Sequence, residues 1–163
     1  MRVPFESLPD SSRVWVFGVQ RDLAEDEAAR LLEAVDEFLD GWAAHGTPLM
    51  GAREWRHGRL LLVGVDEEAA PPSGCSIDAL THALQDLEEA LDTRIVDNAP
   101  VWFLGSGGVR HASRPEFARM AREEAVSPAT IVFDNTVTRL GQVRAGEWER
   151  PAADSWHQRA FFS

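Results

Sequence analysis

Two segments constrain this chain more than any others: Arg13 to Val19, reading RVWVFGV, and Arg59 to Asp66, with LLLVGV at its centre, are apolar at both alternate sets of positions. Successive side chains of a strand point to opposite faces, so a strand apolar at every position needs cover on both sides of its sheet. The β-branched and aromatic residues of the first segment favour strand over buried helix. Both segments are therefore expected as central strands, and the fold must supply two layers of cover.

The sequence between and after them supplies one layer. Asp22 is placed to cap a helix, with Glu25 three residues on, and Ala28, Leu31, Leu32, Val35, Phe38, Leu39 and Trp42 recur at helical spacing. This helix is predicted from about Leu23 to Ala44, stopping at His45-Gly46, where glycine accepts the left-handed C-cap and Pro48 prevents continuation. Leu49 to Arg56 reads as a more polar edge strand, turned by His57-Gly58 into the second apolar strand. After Pro71-Pro72-Ser73-Gly74, the spacing of Ile77, Leu80, Leu84, Leu87 and Leu91 predicts a second helix ending near Thr93, and Val101 to Leu104 is a fourth strand. The order β-α-β-β-α-β is that of a ferredoxin-like α+β core, an antiparallel sheet with its first and third strands central and its second and fourth at the edges.

Two helices cover one face of such a sheet. Residues 106–163 are expected to cover the other face or to form a subunit interface, which would make a homo-oligomer. Gly105 to Gly108 reads as a linker, Ser113 caps a short helix with Pro115 and Glu116 in its first turn, and Thr130 to Val137 alternates like a strand. The tail brings Trp148, Trp156, Phe161 and Phe162. At 163 residues the chain is in the range of a single domain, here a core over 1–105 and an extension over 106–163.

Composition closes several chemistries. No Lys or Tyr is present, so Schiff-base catalysis, a lysine general base and the lysine of a phosphate-binding P-loop are all excluded. One Cys rules out a disulfide framework and a multi-cysteine zinc site. No metal motif occurs, and no metal or cofactor is expected. Residues 1–105 hold 8 Arg against 20 acids, and residues 106–163 hold 8 Arg against 7. The acidic part is a poor partner for nucleic acid or an anionic membrane. The N-terminal MRVPFESLPDSS has no apolar leader core and Leu60 to Val65 is too short to span a bilayer, so a cytoplasmic location is expected. Arginine in place of lysine together with the acidic helix faces suggests halophilic adaptation, in which salt screens a self-repelling surface.

The densest polar constellation is Ser73, Gly74, Cys75, Ser76 and Asp78 at the entry to the second helix, just beyond Asp66. Free N–H groups and the positive end of the helix dipole there would favour an anion or small ligand, or lower the pKa of the Cys75 thiol. The same residues serve equally as an N-cap, with Asp78 complementing the dipole. A catalytic thiol needs a base, for which His157 and His45 are the candidates; His82 lies two turns along the same helix, out of hydrogen-bond reach.

The segments Trp42 to Leu49, Val65-Asp66, Ser73 to Asp78, Thr130 to Asn135 and Asp154-Ser155-Trp156-His157 with Phe161 together resemble a family of uncharacterised small bacterial proteins, some labelled "ABC transporter ATPase". The resemblance covers most of the chain and implies no assigned chemistry. An ABC ATPase needs a Walker lysine, a signature loop and a larger domain, so ATPase activity is not expected here. The readings left open are a protein with a ligand or anion site at Ser73–Asp78, a thiol-dependent enzyme using Cys75, and an interaction or scaffold module working through the aromatic tail.

Overall fold

In the computed structural model, which describes residues 1–163, every residue of β5 (Leu60–Val65) is buried, and the other elements are layered around it. β5 is flanked by β1 (Arg13–Gly18) and β4 (Gly51–Arg56), both antiparallel to it, in a three-stranded sheet ordered β1-β5-β4. The β4–β5 turn is made by His57 and Gly58, at φ 57° and 66°. Two positive φ values in succession match the twist of the flanking strands, and Arg59 N–H closes the turn by donating to the Arg56 carbonyl at 3.2 Å, so that Arg56 pairs with Leu60.

One face of this sheet carries α1 (Glu25–Asp40) and α2 (Gly74–Leu91). Leu31, Val35 and Leu39 of α1 and Leu80, Leu84 and Leu91 of α2 share a core with Leu61, Val63 and Val65. The opposite face packs on a second antiparallel sheet ordered β7-β6-β8-β9, formed by β6 (Val101–Gly105), β7 (Gly108–Ala112), β8 (Ile131–Phe133) and β9 (Glu149–Pro151). Val14, Leu60 and Leu62 meet Trp102, Phe133 and Trp148 there. The far side of the second sheet is closed by α3 (Arg114–Arg122) and the C-terminal turn, where Phe117 packs with Val101, Phe103, Phe161 and Phe162. The layers thus run helices, sheet, sheet, helix and tail, an α+β architecture with antiparallel sheets. No helix is long and apolar enough to cross a membrane.

The cover expected from residues 106–163 is in place, but the fourth strand of the expected core is not where that core would put it. Val101 to Leu104 lies in the second sheet, because its chain folds straight back through Ser106-Gly107 into β7 and local pairing claims it. Gly105 to Gly108 is therefore a hairpin turn, with Gly107 and Gly108 at φ 88° and 129°, rather than a linker. As a result β1, expected to be central, stands at an edge.

α1 also ends early. It stops at Asp40, and the chain continues through Trp42 into a small hairpin of β2 (Ala43–Ala44) and β3 (Thr47–Pro48), whose turn is His45-Gly46. Trp42 decides this: it is buried against Trp15 and Phe38 and donates its indole N–H to the Ser76 carbonyl at 2.8 Å. At the other end of α1, Asp22 faces Arg59 at 3.3 Å instead of capping, and the Ala24 N–H donates to Glu27 Oε1 at 2.9 Å.

Arg59 fastens the two sheets together. Its guanidinium is buried and donates to the Val19 carbonyl at 2.7 Å and to the Val109 carbonyl at 3.2 Å, and lies 3.0 Å from His111 Nδ1 and 5.3 Å from the centre of the Trp102 ring. Trp102 in turn fills the space that a side chain on Gly18 would occupy.

Candidate functional site: the open edge of β1

The vacated fourth-strand position leaves β1 with main-chain groups that nothing in the chain pairs. In the β1–β5 ladder Val19 N–H donates to the Arg59 carbonyl, so by the two-residue alternation Phe17, Trp15 and Arg13 face β5 while Val14, Val16 and Gly18 face outward. The two ends of this outward edge are occupied: Val14 N–H donates to the Thr138 carbonyl at 2.9 Å and Gln20 N–H to the Arg94 carbonyl at 3.0 Å. Between them, the N–H and C=O of Val16 and of Gly18 have no backbone partner. Gly18 is buried and Val16 half-buried, which makes unpaired polar groups there costly, about 1–3 kcal/mol each.

At Val16 this edge opens into a groove of about 400 Å³. Trp15 and Phe17, both half-buried, form its apolar floor on the helix side. One wall is Ile95 to Asn98, beyond the end of α2. Its shape is set by Glu88, whose Oε2 accepts the N–H groups of Ile95 and Val96 at 2.7 and 2.8 Å, and by Gln20, which donates to Asp97 Oδ2 at 3.0 Å. The Gln20 bond and a second from the Ala99 N–H hold the Asp97 carboxyl below the ordinary aspartate range.

The other wall is Asn135 to Thr138. Here the strand expected over Thr130 to Val137 ends after Phe133, because Asp134 turns the chain: its Oδ1 accepts from Thr136 N–H at 3.1 Å, from the Thr136 hydroxyl, and from Trp156 Nε1 at 3.2 Å. Trp148 Nε1 donates to Asn135 Oδ1 at 2.8 Å, and Gln142 Oε1, at the start of α4 (Leu140–Arg144), accepts from Thr138 and Arg139 N–H at 2.9 and 3.0 Å. Both walls are therefore fastened by side-chain hydrogen bonds, several of them to the loop backbone.

Arg13 stands at the closed end of the groove, its guanidinium 4.8 Å from the Trp15 ring centre. Nine arginines make ion pairs, among them Arg2, Arg53 and Arg139, but Arg13 has no carboxylate within 4.0 Å. The opposite edge of the same sheet offers a contrast. β4 presents Arg53, Glu54 and Arg56, and its start is covered by the N-terminus, with Val3 N–H donating to the Gly51 carbonyl at 2.9 Å. Charges of this kind guard an exposed edge, whereas Trp15 to Gly18 carry none.

The residues singled out from sequence lie elsewhere. Ser73 and Ser76 cap α2 reciprocally: Ser76 N–H donates to Ser73 Oγ at 3.1 Å and Ser73 N–H to Ser76 Oγ at 2.7 Å. Gly74, Cys75 and Asp78 are exposed on the first turns of that helix, and Asp66 Oδ1 accepts from Glu68 and Ala69 N–H in the preceding turn. His45 is exposed at the β2–β3 turn, on the same side of the sheets as α2, but no hydrogen bond links it to Cys75. His157 belongs to the far side of the second sheet, so both sheets stand between it and Cys75. It is 1% exposed, stacked on Trp156 with ring centres 3.9 Å apart and bonded to Ser155 Oγ at 2.7 Å. Burial lowers its pKa to about 4, which keeps the ring neutral. The aromatic tail turns inward, with Phe161 and Phe162 packed on Phe117.

No protein-family model matches the chain, and comparisons with curated proteins and with solved structures find no match.

Proposed function

We propose that the protein is an interaction module that binds an extended polypeptide segment by adding it as a strand along the outer edge of β1. The observation that carries this reading is the pair of unpaired backbone positions, Val16, which lines a groove between two fastened walls, and Gly18, buried two residues on along the same edge. Main-chain donors and acceptors repeating every two residues are met best by another extended main chain, and strand addition is a recurrent mode of peptide recognition. The apolar floor of Trp15 and Phe17 adds a surface for alternate side chains of such a segment.

A second folded copy does not fit this edge, since its own β1 would be recessed between the same walls and two recessed edges cannot meet. A flexible segment can enter. The competing sites at Ser73 to Asp78 have less to offer a ligand, because each of the two serines already spends its oxygen and its N–H on the other. The test is selection of binders from a displayed library of random heptapeptides, followed by residue-resolved amide shifts. Selected peptides should move Val16 and Gly18 and lose affinity when alternate peptide amides are methylated. Binders that map elsewhere and leave β1 unmoved would overturn it.

A further inference from the structure

We infer that the segment taken up by this edge is the C-terminal end of a polypeptide, running antiparallel to β1 with its terminal carboxylate at Arg13. This rests on the strand-addition reading and deepens it. The first observation is a stop. Val14 is the next outward-facing residue after Val16, and its N–H is already bonded to the Thr138 carbonyl, while Arg13 bridges Arg139 in antiparallel register. An added strand opposite Gly18 and Val16 therefore runs into the chain itself one residue later, opposite Trp15, and must end there or leave the sheet.

The second observation is the charge at that stop. Arg13 lines the groove, lies over the Trp15 ring and has no carboxylate partner of its own, in a chain where acids outnumber Arg 27 to 16. The neighbouring Arg139 is occupied with Glu67 at 3.2 Å and the Ser11 carbonyl at 3.2 Å. An unpaired guanidinium at a blocked end accepts a carboxylate and repels an ammonium. Direction follows from this. A parallel strand would bring its N-terminus to Arg13, whereas an antiparallel strand brings its C-terminus. Antiparallel pairing is also the mode of every strand pair in both sheets.

The register then assigns the side chains. The last residue of the segment lies opposite Trp15 and the third from last opposite Phe17, both on the helix side and both apolar by the character of that floor. The residue between them lies opposite Val16, on the side of Val137, and exchanges two main-chain bonds with Val16. The ligand class is thus a polypeptide ending in apolar-any-apolar with a free carboxylate.

The probe is the acetylated pentapeptide GGVTV with a free C-terminus, compared with the same peptide amidated and with the threonine amide N-methylated, titrated into the full-length protein and followed by amide shifts. The free acid should bind about tenfold tighter than the amide, the ratio of one charge-assisted bond near 1.4 kcal/mol. Arg13→Gln, whose side chain holds up no ion pair in the fold, should bring the two to equal affinity. N-methylation should abolish binding to both proteins. Acid and amide binding equally to the unaltered protein, with Val16 and Gly18 shifting, would overturn the carboxylate assignment and leave strand addition standing. Failure of all three peptides to shift Val16 and Gly18 at millimolar concentration would overturn both.

Discussion

Replacing Gly18 with alanine tests how tightly the two sheets are fitted together behind the groove. The backbone of Gly18 is not left-handed, so alanine meets no conformational objection, and on chain entropy alone it would stabilise by about 0.4–1 kcal/mol. The objection is steric. A Cβ at this position would lie 2.1, 2.3 and 2.7 Å from Cζ2, Cε2 and Cη2 of Trp102, where carbon atoms pack comfortably at about 3.5–4.0 Å. The indole would have to retreat by roughly 1.5 Å, and it is 2% exposed and held between Arg59 and His111, whose ring centre is 4.9 Å away. Overpacking of this kind costs about 1–3 kcal/mol, and a clash this close falls at the upper end, so Gly18→Ala should lose about 2 kcal/mol net of the entropic gain. In urea unfolding followed by far-ultraviolet circular dichroism, with a slope of about 2 kcal/mol per molar, the midpoint should fall by about 1 M. Combined with Trp102→Phe, the same substitution should cost almost nothing further, because the clashing ring atoms are gone. A midpoint for Gly18→Ala at or above that of the unaltered protein would refute the reasoning.

Other perturbations read other parts of the structure. His157 titrates at about 4 when folded and near its ordinary 6.5 when unfolded, so between these values the unfolded chain holds a proton that the folded one refuses. Its contribution is complete above pH 6.5 and falls by about 3 kcal/mol as pH drops to 4; His157→Asn should flatten that decline in denaturant titrations over this range, and an unchanged slope would contradict the assignment. Arg59→Met should cost about 3 kcal/mol by calorimetry, because the Val19 and Val109 carbonyls lose their buried donor, and Arg59→Lys should recover little since an ammonium cannot reach both. Cys75→Ser should change stability by less than about 0.5 kcal/mol, the residue being exposed and outside any packing cluster, whereas Ser73→Ala, at the N-cap of the same helix, should cost about 1 kcal/mol through loss of the cap.

The sequence was most legible where one residue decides a local geometry. The β4–β5 hairpin follows from His57-Gly58, the second helix from the spacing of Ile77 and four leucines after Ser73, and α3 from Ser113 with Glu116, whose Oε1 accepts the Ser113 N–H at 3.1 Å. The need for cover on both faces of β5 was equally readable, because LLLVGV has no polar side to turn to water. Pairing partners were not readable. Val101 to Leu104 would satisfy either an edge beside β1 or a place in the second sheet, and only the short return into β7 decides between them. For the same reason the groove escaped: it exists because a strand went elsewhere, and absence of a neighbour leaves no residue pattern. Two traces were nevertheless present, the uncharged run Trp15 to Gly18 and the Asp134-Asn135 pair that ends β8. The cluster Ser73 to Asp78 drew attention through its density of hydroxyls and thiol, yet capping uses the same residue types as anion binding, and spacing alone does not separate them.

The central claim is that β1 offers an unfilled strand position, and residue-resolved amide hydrogen exchange on the full-length protein without ligand addresses it most directly. Exchange should alternate along the strand: Trp15 and Phe17, bonded to β5, exchange slowly, and Val16 and Gly18 exchange faster than both neighbours. Uniform protection from Val14 to Val19 would mean that the edge is already paired and would contradict an unfilled strand position.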